Sequence, residues 1–374
     1  MSTLKDRIIA RIKAEGPMSV AEYMGICLLD PKHGYYPTRD PLGSDGDFIT
    51  APEISQMFGE VLGLWALQSW TDMGRPERVH LVELGPGRGI MMSDMLRAAN
   101  LAPDFIKALS VHLIEASAAL EAVQAKTLGD ISVPVSWVSS LSDVPDGPTI
   151  IIGNEYLDCL PIRQFIQQDR FAKAAGWHER VVTLTEDEEN LMYAVSAEPI
   201  SDVMQQSMPA ALSDAKTGEL LEICPAAYQM LDQIKTRFTA SPGRALFIDY
   251  GPETTEFGDT LQALKRHEKV DVFSDPGNID LTARVDFGAL GEFAQSLDLT
   301  ATLPVAQYEF LSKLGIEMRA AALARAKPES KAKIARQLER LTGEAQMGQL
   351  FKAVCFQSTG LDLPLGFRSF NEPS

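Results

Sequence analysis

Two short stretches hold residues whose types and spacing can do chemistry. In VHLVELGPGRGIMMSDMLRAA, Val79 to Ala99, Glu83 closes an apolar run, and Gly85, Gly87 and Gly89 follow at two-residue intervals. In IIGNEYLDCLPIRQF, Ile151 to Phe165, Asn154, Glu155 and Asp158 crowd polar groups against apolar sequence. A glycine turn that follows a strand and opens a helix lets the backbone approach a ligand closely, and the helix-start N–H groups favour negative charge. Glu83 adds a condition. A carboxylate there repels a pyrophosphate but accepts a hydrogen bond or salt bridge from an ammonium group. The spacing agrees, since GxGxG is not the GxGxxG of dinucleotide-binding turns. Asp and Glu are almost never fully buried without partners, so Glu155 and Asp158 imply a cationic substrate group or an internal arginine such as Arg163.

The ligand is therefore expected to be cationic near Glu83, and S-adenosylmethionine carries an ammonium group and a sulfonium. The order acidic residue, one spacer, GxGxG resembles motif I of the Rossmann-like methyltransferases. The plainer reading is an ordinary strand-to-helix turn.

Strand-like and helix-like segments alternate along the chain, as a mostly parallel sheet with crossover helices requires. Val79 to Leu84 reads as the first strand and Ile90 to Ala99 as its helix. Ser110 to Ile114 is a second strand, ending in Glu115 before a helix over Ser117 to Lys126. Val135 to Val138, Thr149 to Ile152, Arg244 to Ile248 and Phe351 to Phe356 complete a doubly wound α/β sheet. Ligands bind beyond the carboxyl ends of such strands, so the residues that end them converge on one crevice. That rule gathers Glu83, Gly85, Gly87 and Gly89 with Glu115, Ser139, Ser140, Asn154 and Glu155. Glu115 is placed to accept both ribose hydroxyls of an adenosine; its alternative is a solvated carboxylate at a helix start. Guanidinium binds carboxylates in a bidentate manner, so Glu155 and Asp158 could hold an arginine side chain. Alternatively, Asp158 caps the following turn and Glu155 pairs with Arg163.

Composition limits the partners. The chain has 374 residues, 45% of them hydrophobic, and a formal net charge of −17. That charge opposes sequence-independent attraction to nucleic acid and favours a cationic protein or small molecule, although most of the carboxylates simply keep the surface soluble. Cys27, Cys159, Cys224 and Cys355 form no CxxC pair, which suggests neither a metal cluster nor a disulfide framework. No apolar stretch reaches the ~18 residues of a membrane span. The expectation is a cytoplasmic protein with no bound metal and no membrane insertion.

Several stretches together resemble the MidA-like family. They are SVAEYMGICLLDPKHGYY (Ser19 to Tyr36), GDFITAPEISQMFGE (Gly46 to Glu60), VELGPGRG, GNEYLDCLPIRQF, FIDYG (Phe247 to Gly251), DLTARVDF (Asp280 to Phe287) and MGQLFKAV (Met347 to Val354). The mitochondrial members of that family are protein arginine methyltransferases that assist assembly of respiratory complex I. The resemblance implies S-adenosylmethionine as cofactor, a class I methyltransferase fold, and symmetric dimethylation of an arginine on a complex I subunit. Without an evident transit segment, the chain reads as a bacterial cytoplasmic member acting on the corresponding NADH dehydrogenase subunit. In the resemblance-matched loop, Asp47, Thr50, Pro52 and Glu53 are expected closest to the ligand. Its Gly, Pro and Asp content reads either as a lid over the cofactor or as a plain connector before a helix from about Ile54.

The expected organisation is an N-terminal helical and lid segment over 1–78 packed on a methyltransferase domain over 79–374, with insertions at about 163–243 and 308–346. Trp177 to Val195 reads as an inserted hairpin around TEDEEN, able to meet a protein partner. The basic, alanine-rich Met318 to Leu341 reads as a solvated helical face. His267 near the crevice reads as structural rather than as a base, because carboxylates can position a guanidinium and receive its proton. Three functions fit this reading: a protein arginine methyltransferase, a small-molecule N- or O-methyltransferase, or a noncatalytic assembly factor that retains cofactor binding.

Overall fold

An apolar run with no polar alternation, such as Thr149 to Ile152, must be covered on both faces, and the chain folds accordingly. The computed structural model describes residues 3–38, 49–129, 131–169, 176–201, 215–266 and 268–368. Its first strands in chain order are β1 (Met18–Ser19), β2 (Val79–Leu84), β3 (Leu109–Ile114), β4 (Val135–Val138) and β5 (Thr149–Asn154). An inserted group follows: β6 (Arg163–Gln168), β7 (Gly176–Leu184), β8 (Leu191–Val195) and β9 (Leu220–Ile223). The remainder are β10 (Gly243–Tyr250), β11 (Gln262–Lys265), β12 (Glu268–Val270), β13 (Asp280–Thr282), β14 (Thr300–Ala301), β15 (Val305–Ala306) and β16 (Phe351–Gln357).

The central sheet runs β14-β16-β10-β5-β2-β3-β4, with β15 also on β16. Its strands from β10 to β4 are parallel, and β16 is antiparallel to β10. Ile150 and Ile152 enter the apolar core on one face and Ile151 the core on the other, so the run is doubly covered as expected. The six expected strands are all present, and the boundaries of β2 and β4 coincide with the sequence reading.

The N-terminal helices are α1 (Leu4–Glu15), α2 (Val20–Leu29), α3 (Tyr35–Thr38), α4 (Ala51–Ile54) and α5 (Gln56–Asp72). They divide between two cores. Ile8, Tyr23 and Met24 pack with Val182, Leu191 and Leu281 of the smaller sheets, whereas Phe58, Leu62 and Trp65 pack against the central sheet. The helix expected from about Ile54 is interrupted at Ser55, whose extended backbone separates α4 from α5 and whose hydroxyl accepts from the Met57 N–H. α5 lies close against α6 (Ile90–Ala99): a Cβ at Gly63 would stand 2.4 Å from the Met95 carbonyl oxygen. That fit fixes the helix that the glycine turn opens.

The hairpin around Thr185 to Asn190 is present as β7 and β8, but it is part of a five-stranded sheet, β1-β7-β6-β9 with β8 on β7. A separate three-stranded sheet has the order β12-β11-β13. The stretch Met318 to Leu341 is two helices, Ile316–Ala326 and Lys331–Thr342, with a turn at Pro328 between them. Proline lacks the N–H that would continue the first helix. Among the described residues, no helix is long and apolar enough to cross a membrane.

Candidate active site

Where β2 ends, the backbone turns through Gly85, Gly87 and Gly89 with φ of 61°, 53° and 76°. Side chains rarely adopt that left-handed region, which accounts for the glycines. A Cβ at Gly85 would also come within 3.0 Å of the Tyr156 ring. The turn is held from beneath by Gln124, fully buried on the helix Ala118–Thr127. Its side-chain amide donates to the Gly87 carbonyl at 2.7 Å and to Glu115 at 2.9 Å, and its Oε1 accepts from Trp137 Nε1. Glu115 also accepts from the Ser117 N–H at 2.7 Å, so both of its oxygens are oriented beside the glycine turn.

A cavity of about 410 Å³ opens at this end of the sheet. Thr50, Pro52, Glu53, Glu83, Gly85, Gly87, Glu115, Ser139, Asn154, Glu155 and Asp158 all line it; the strand-end rule gathered seven of these, and the loop residues came from the resemblance. Two of the expected residues stand apart. Gly89 supports the turn as the N-cap of α6 without reaching the cavity lining. Ser140 is outside the lining because its N–H and hydroxyl bind Asp143, capping the short turn Leu141–Asp143. Asp47 and His267 lie outside the described residues.

Glu83 is 2% exposed, and its Oε2 has no hydrogen-bond partner among the described residues. Burial, with Glu115 nearby, pushes its carboxyl up to about 8. An ammonium donor would relieve both conditions. The α-amino group of S-adenosylmethionine is such a donor, with Glu115 available for ribose hydroxyls and the start of α6 for a carboxylate. The residues present thus fit this cofactor.

Beyond β5 the chain bends at Glu155, a non-glycine residue with φ of 51° whose N–H donates to the Ile248 carbonyl. The Glu155 carboxylate accepts from the Ala51 N–H at 2.8 Å and from Asn154 Nδ2 at 3.0 Å. Burial pushes it up to about 7. Arg163 does not pair with it; that guanidinium is bidentate to Glu179 at 2.7 and 2.6 Å. Asn154, 8% exposed, keeps an Oδ1 with no partner among the described residues.

The turn carrying Asp158 is fixed by Asp249, fully buried at the end of β10, whose Oδ2 accepts from the N–H groups of Leu157 and Asp158. Burial, then Asp249, Asp280 and Glu155, raises the Asp158 carboxyl well above the usual range. The cavity wall continues through residues that strand-end reasoning did not reach: Tyr36, Tyr250, Gln262, Asp280, Thr282 and Phe351. Tyr250, Asp280 and Thr282 lie in FIDYG and DLTARVDF, Tyr36 and Phe351 in two other motifs of the resemblance, all quoted above without a role for these residues. Gln124 left only a faint signal, a polar residue in a helix interior.

Comparison with known proteins gives the family. Residues 61–305 match a family described as S-adenosyl-L-methionine-dependent methyltransferases. The chain is 35% identical over 371 residues to "Protein arginine methyltransferase NDUFAF7, mitochondrial" of Mus musculus, covering 92% of this chain and 82% of that protein. Its Homo sapiens counterpart is 36% identical over 337 residues, covering 83% and 73%. A crystal structure from Burkholderia thailandensis bound to S-adenosyl-homocysteine superposes with a TM-score of 0.84 at 27% identity, covering 97% of this chain and 93% of that one. With its class I fold and a cavity whose residues fit S-adenosylmethionine, the chain belongs to the MidA-like family of S-adenosylmethionine-dependent methyltransferases.

Proposed function

We propose that this enzyme methylates an arginine of a protein, that the protein is an NADH dehydrogenase (complex I) subunit in the bacterial cytoplasm, and that symmetric dimethylation there aids assembly. The observation that carries the arginine reading is the acidity of the acceptor end. Of the six carboxyl side chains that line the cavity, Glu83 and Glu115 serve the cofactor in this reading and Glu53 faces Arg88, which leaves Glu155, Asp158 and Asp280 for the acceptor. Among the described lining residues Arg88 is the one basic side chain, and it faces Glu53 at 3.7 Å. Asp158 is held high by burial and like charge, so a cation beside it is strongly favoured. A planar guanidinium meets carboxylates with paired donors, which suits this end better than a neutral acceptor. The name of the mouse and human relatives, protein arginine methyltransferase, supports the same acceptor.

When bound, S-adenosylmethionine supplies an electrophilic methyl group. Glu83 and the turn from Gly85 to Gly89 orient the cofactor end, with Thr50 and Pro52 closing over it. Asp158 and Asn154 hold the guanidinium so that one terminal nitrogen faces the methyl donor. That nitrogen must shed a proton once it carries the methyl group. Glu155, pushed up to about 7, accepts a proton readily near neutral pH, with Asp158 beside it.

The test is mass spectrometry of NADH dehydrogenase subunits from cells with and without the gene, joined to methylation of the purified candidate subunit in vitro. A dimethylarginine that disappears with the gene and is restored by the pure enzyme is the expected result. Unchanged subunits, together with methylation of a small molecule by the same preparation, would overturn the proposal.

A further inference from the structure

The acceptor end of the cavity has a second wall, brought from a different sheet. β13 is tied to the Asp158 turn by the Ala283 N–H, which donates to the Asp158 carbonyl at 2.9 Å. It carries Asp280, 2% exposed, and Thr282 into the cavity lining. Tyr36 comes from α3, lines the same cavity, and donates its hydroxyl to Asp280 Oδ1 at 3.0 Å. Burial and the charge of Asp280 raise the Tyr36 phenol well above its ordinary value, so it remains a donor at any physiological pH.

Asp280 is among the like charges that raise Asp158. Asp158 and Asp280 thus bring two carboxyl groups to the wall of one cavity, where a planar guanidinium can meet both with paired donors. Asp249 plays a different part, since its oxygens are taken up by the N–H groups of Leu157, Asp158 and Tyr250. An independent feature points to a donor-bearing ligand at the same place: the buried Asn154 Oδ1, which lines the cavity without a partner among the described residues. Guanidinium offers five N–H donors in a plane, enough for a pair to each of two carboxylates and one to a carbonyl, whereas the three of an ammonium cannot pair with both carboxylates. Leu29, Leu264 and Phe351 line the cavity as well and supply apolar surface for the stem of a long cationic side chain.

We infer, resting on the arginine reading above, that Asp280 is a second acceptor-binding carboxylate that grips the guanidinium together with Asp158, and that Tyr36 is the positioning residue that holds Asp280 for it.

The experiment titrates the protein, saturated with S-adenosyl-homocysteine, with Nα-acetyl-arginine amide and with its neutral citrulline counterpart. The wild type is expected to bind the arginine amide and to bind the citrulline amide about tenfold more weakly or worse. Asp280→Asn should lose about tenfold or more for the arginine amide while keeping its S-adenosyl-homocysteine affinity. Tyr36→Phe should lose less, and its arginine binding should require a higher pH, because the Asp280 anion has lost a donor that favours it. Equal arginine affinity in Asp280→Asn and wild type would overturn the inference while leaving the arginine reading standing. A wild type that does not distinguish the two amides would overturn both. Should Asp280→Asn fail to fold, Tyr36→Phe decides: unchanged affinity and an unchanged pH midpoint would be fatal to the assignment.

Discussion

The carboxylate of Glu155 accepts a hydrogen bond from the backbone N–H of Ala51 at 2.8 Å, joining the end of β5 to the segment that precedes α5. Thr50, Pro52 and Glu53 reach the cavity through that junction. Glu155→Ala should release the segment and weaken S-adenosyl-homocysteine binding by about tenfold, the scale of one charge-assisted hydrogen bond. Glu155→Gln, whose amide oxygen can still accept from Ala51, should bind nearly as the wild type does. Calorimetric titration of both variants checks the pair; equal losses would show that the carboxylate charge, and not the junction, is what matters.

Glu83 predicts a pH dependence with a definite sign. Its carboxyl lies at about 8 in the fold, raised from an ordinary 4.5. A raised carboxyl favours the fold while protonated, so the stability linked to Glu83 is complete below about 4.5 and is lost as pH rises through 8. Burial raises Glu155 and Asp249 in the same sense, while His80 and His112, lowered by burial, withdraw stability in the opposite direction below about 6.5. The informative quantity is therefore a difference. Glu83→Gln should flatten the fall in thermal midpoint between pH 6 and 8 relative to wild type, and should lose S-adenosyl-homocysteine affinity most at the alkaline end. Parallel melting curves for the two proteins across this range would remove Glu83 as the titrating group.

Asp158→Asn should preserve the fold, because Asp249 grips the backbone of that turn and not the Asp158 side chain. Removing a charged contact to the acceptor costs ~1.5–3 kcal/mol, or roughly ten- to hundredfold in rate. Single-turnover methyl transfer to the arginine substrate at saturating S-adenosylmethionine measures this. A rate equal to that of the wild type would leave Asp158 with no role in holding the acceptor.

Much of the cavity wall around the glycine turn could be read from the sequence because it is local. Glu83 and the glycine turn are contiguous, and Glu115 and Asn154 end strands whose apolar runs are unmistakable. The wall around Asp280 resisted because its pieces are remote: Tyr36 meets Asp280 across 244 positions, and neither lies at the end of a central strand. β1 is two residues long and leaves no pattern, so the hairpin of β7 and β8 could not be seen as part of a larger sheet. Ser140 stands outside the lining for the opposite reason, since a serine beside a strand end binds its own neighbours as readily as a ligand.

The basic stretch after Ile316 teaches the same point and yields a prediction. Most of its charges lie on a solvated face as expected, but Arg319 binds the buried carboxylate of Glu60 at 2.7 and 2.9 Å, alongside Arg97 at 3.2 Å. Arg319→Met should cost about 1.5 kcal/mol of stability, seen as a drop of a few degrees in thermal midpoint, with S-adenosyl-homocysteine affinity unchanged. Loss of cofactor affinity without loss of stability would contradict a purely architectural role.

The placement of β16 has a consequence for how the molecule is made. This strand pairs with β10 from Arg244↔Gln357 to Tyr250↔Phe351, more than a hundred positions apart at every rung. Until it arrives, β10 presents an open row of backbone donors and acceptors flanked by Leu246, Phe247 and Ile248, all fully buried in the finished fold. Such an open apolar edge is a template for association with other chains. Because Phe351 also lines the cavity, catalytic competence must wait for the same slow, long-range closure, and a nascent or shortened chain without this strand is a candidate for chaperone capture rather than a partly working enzyme.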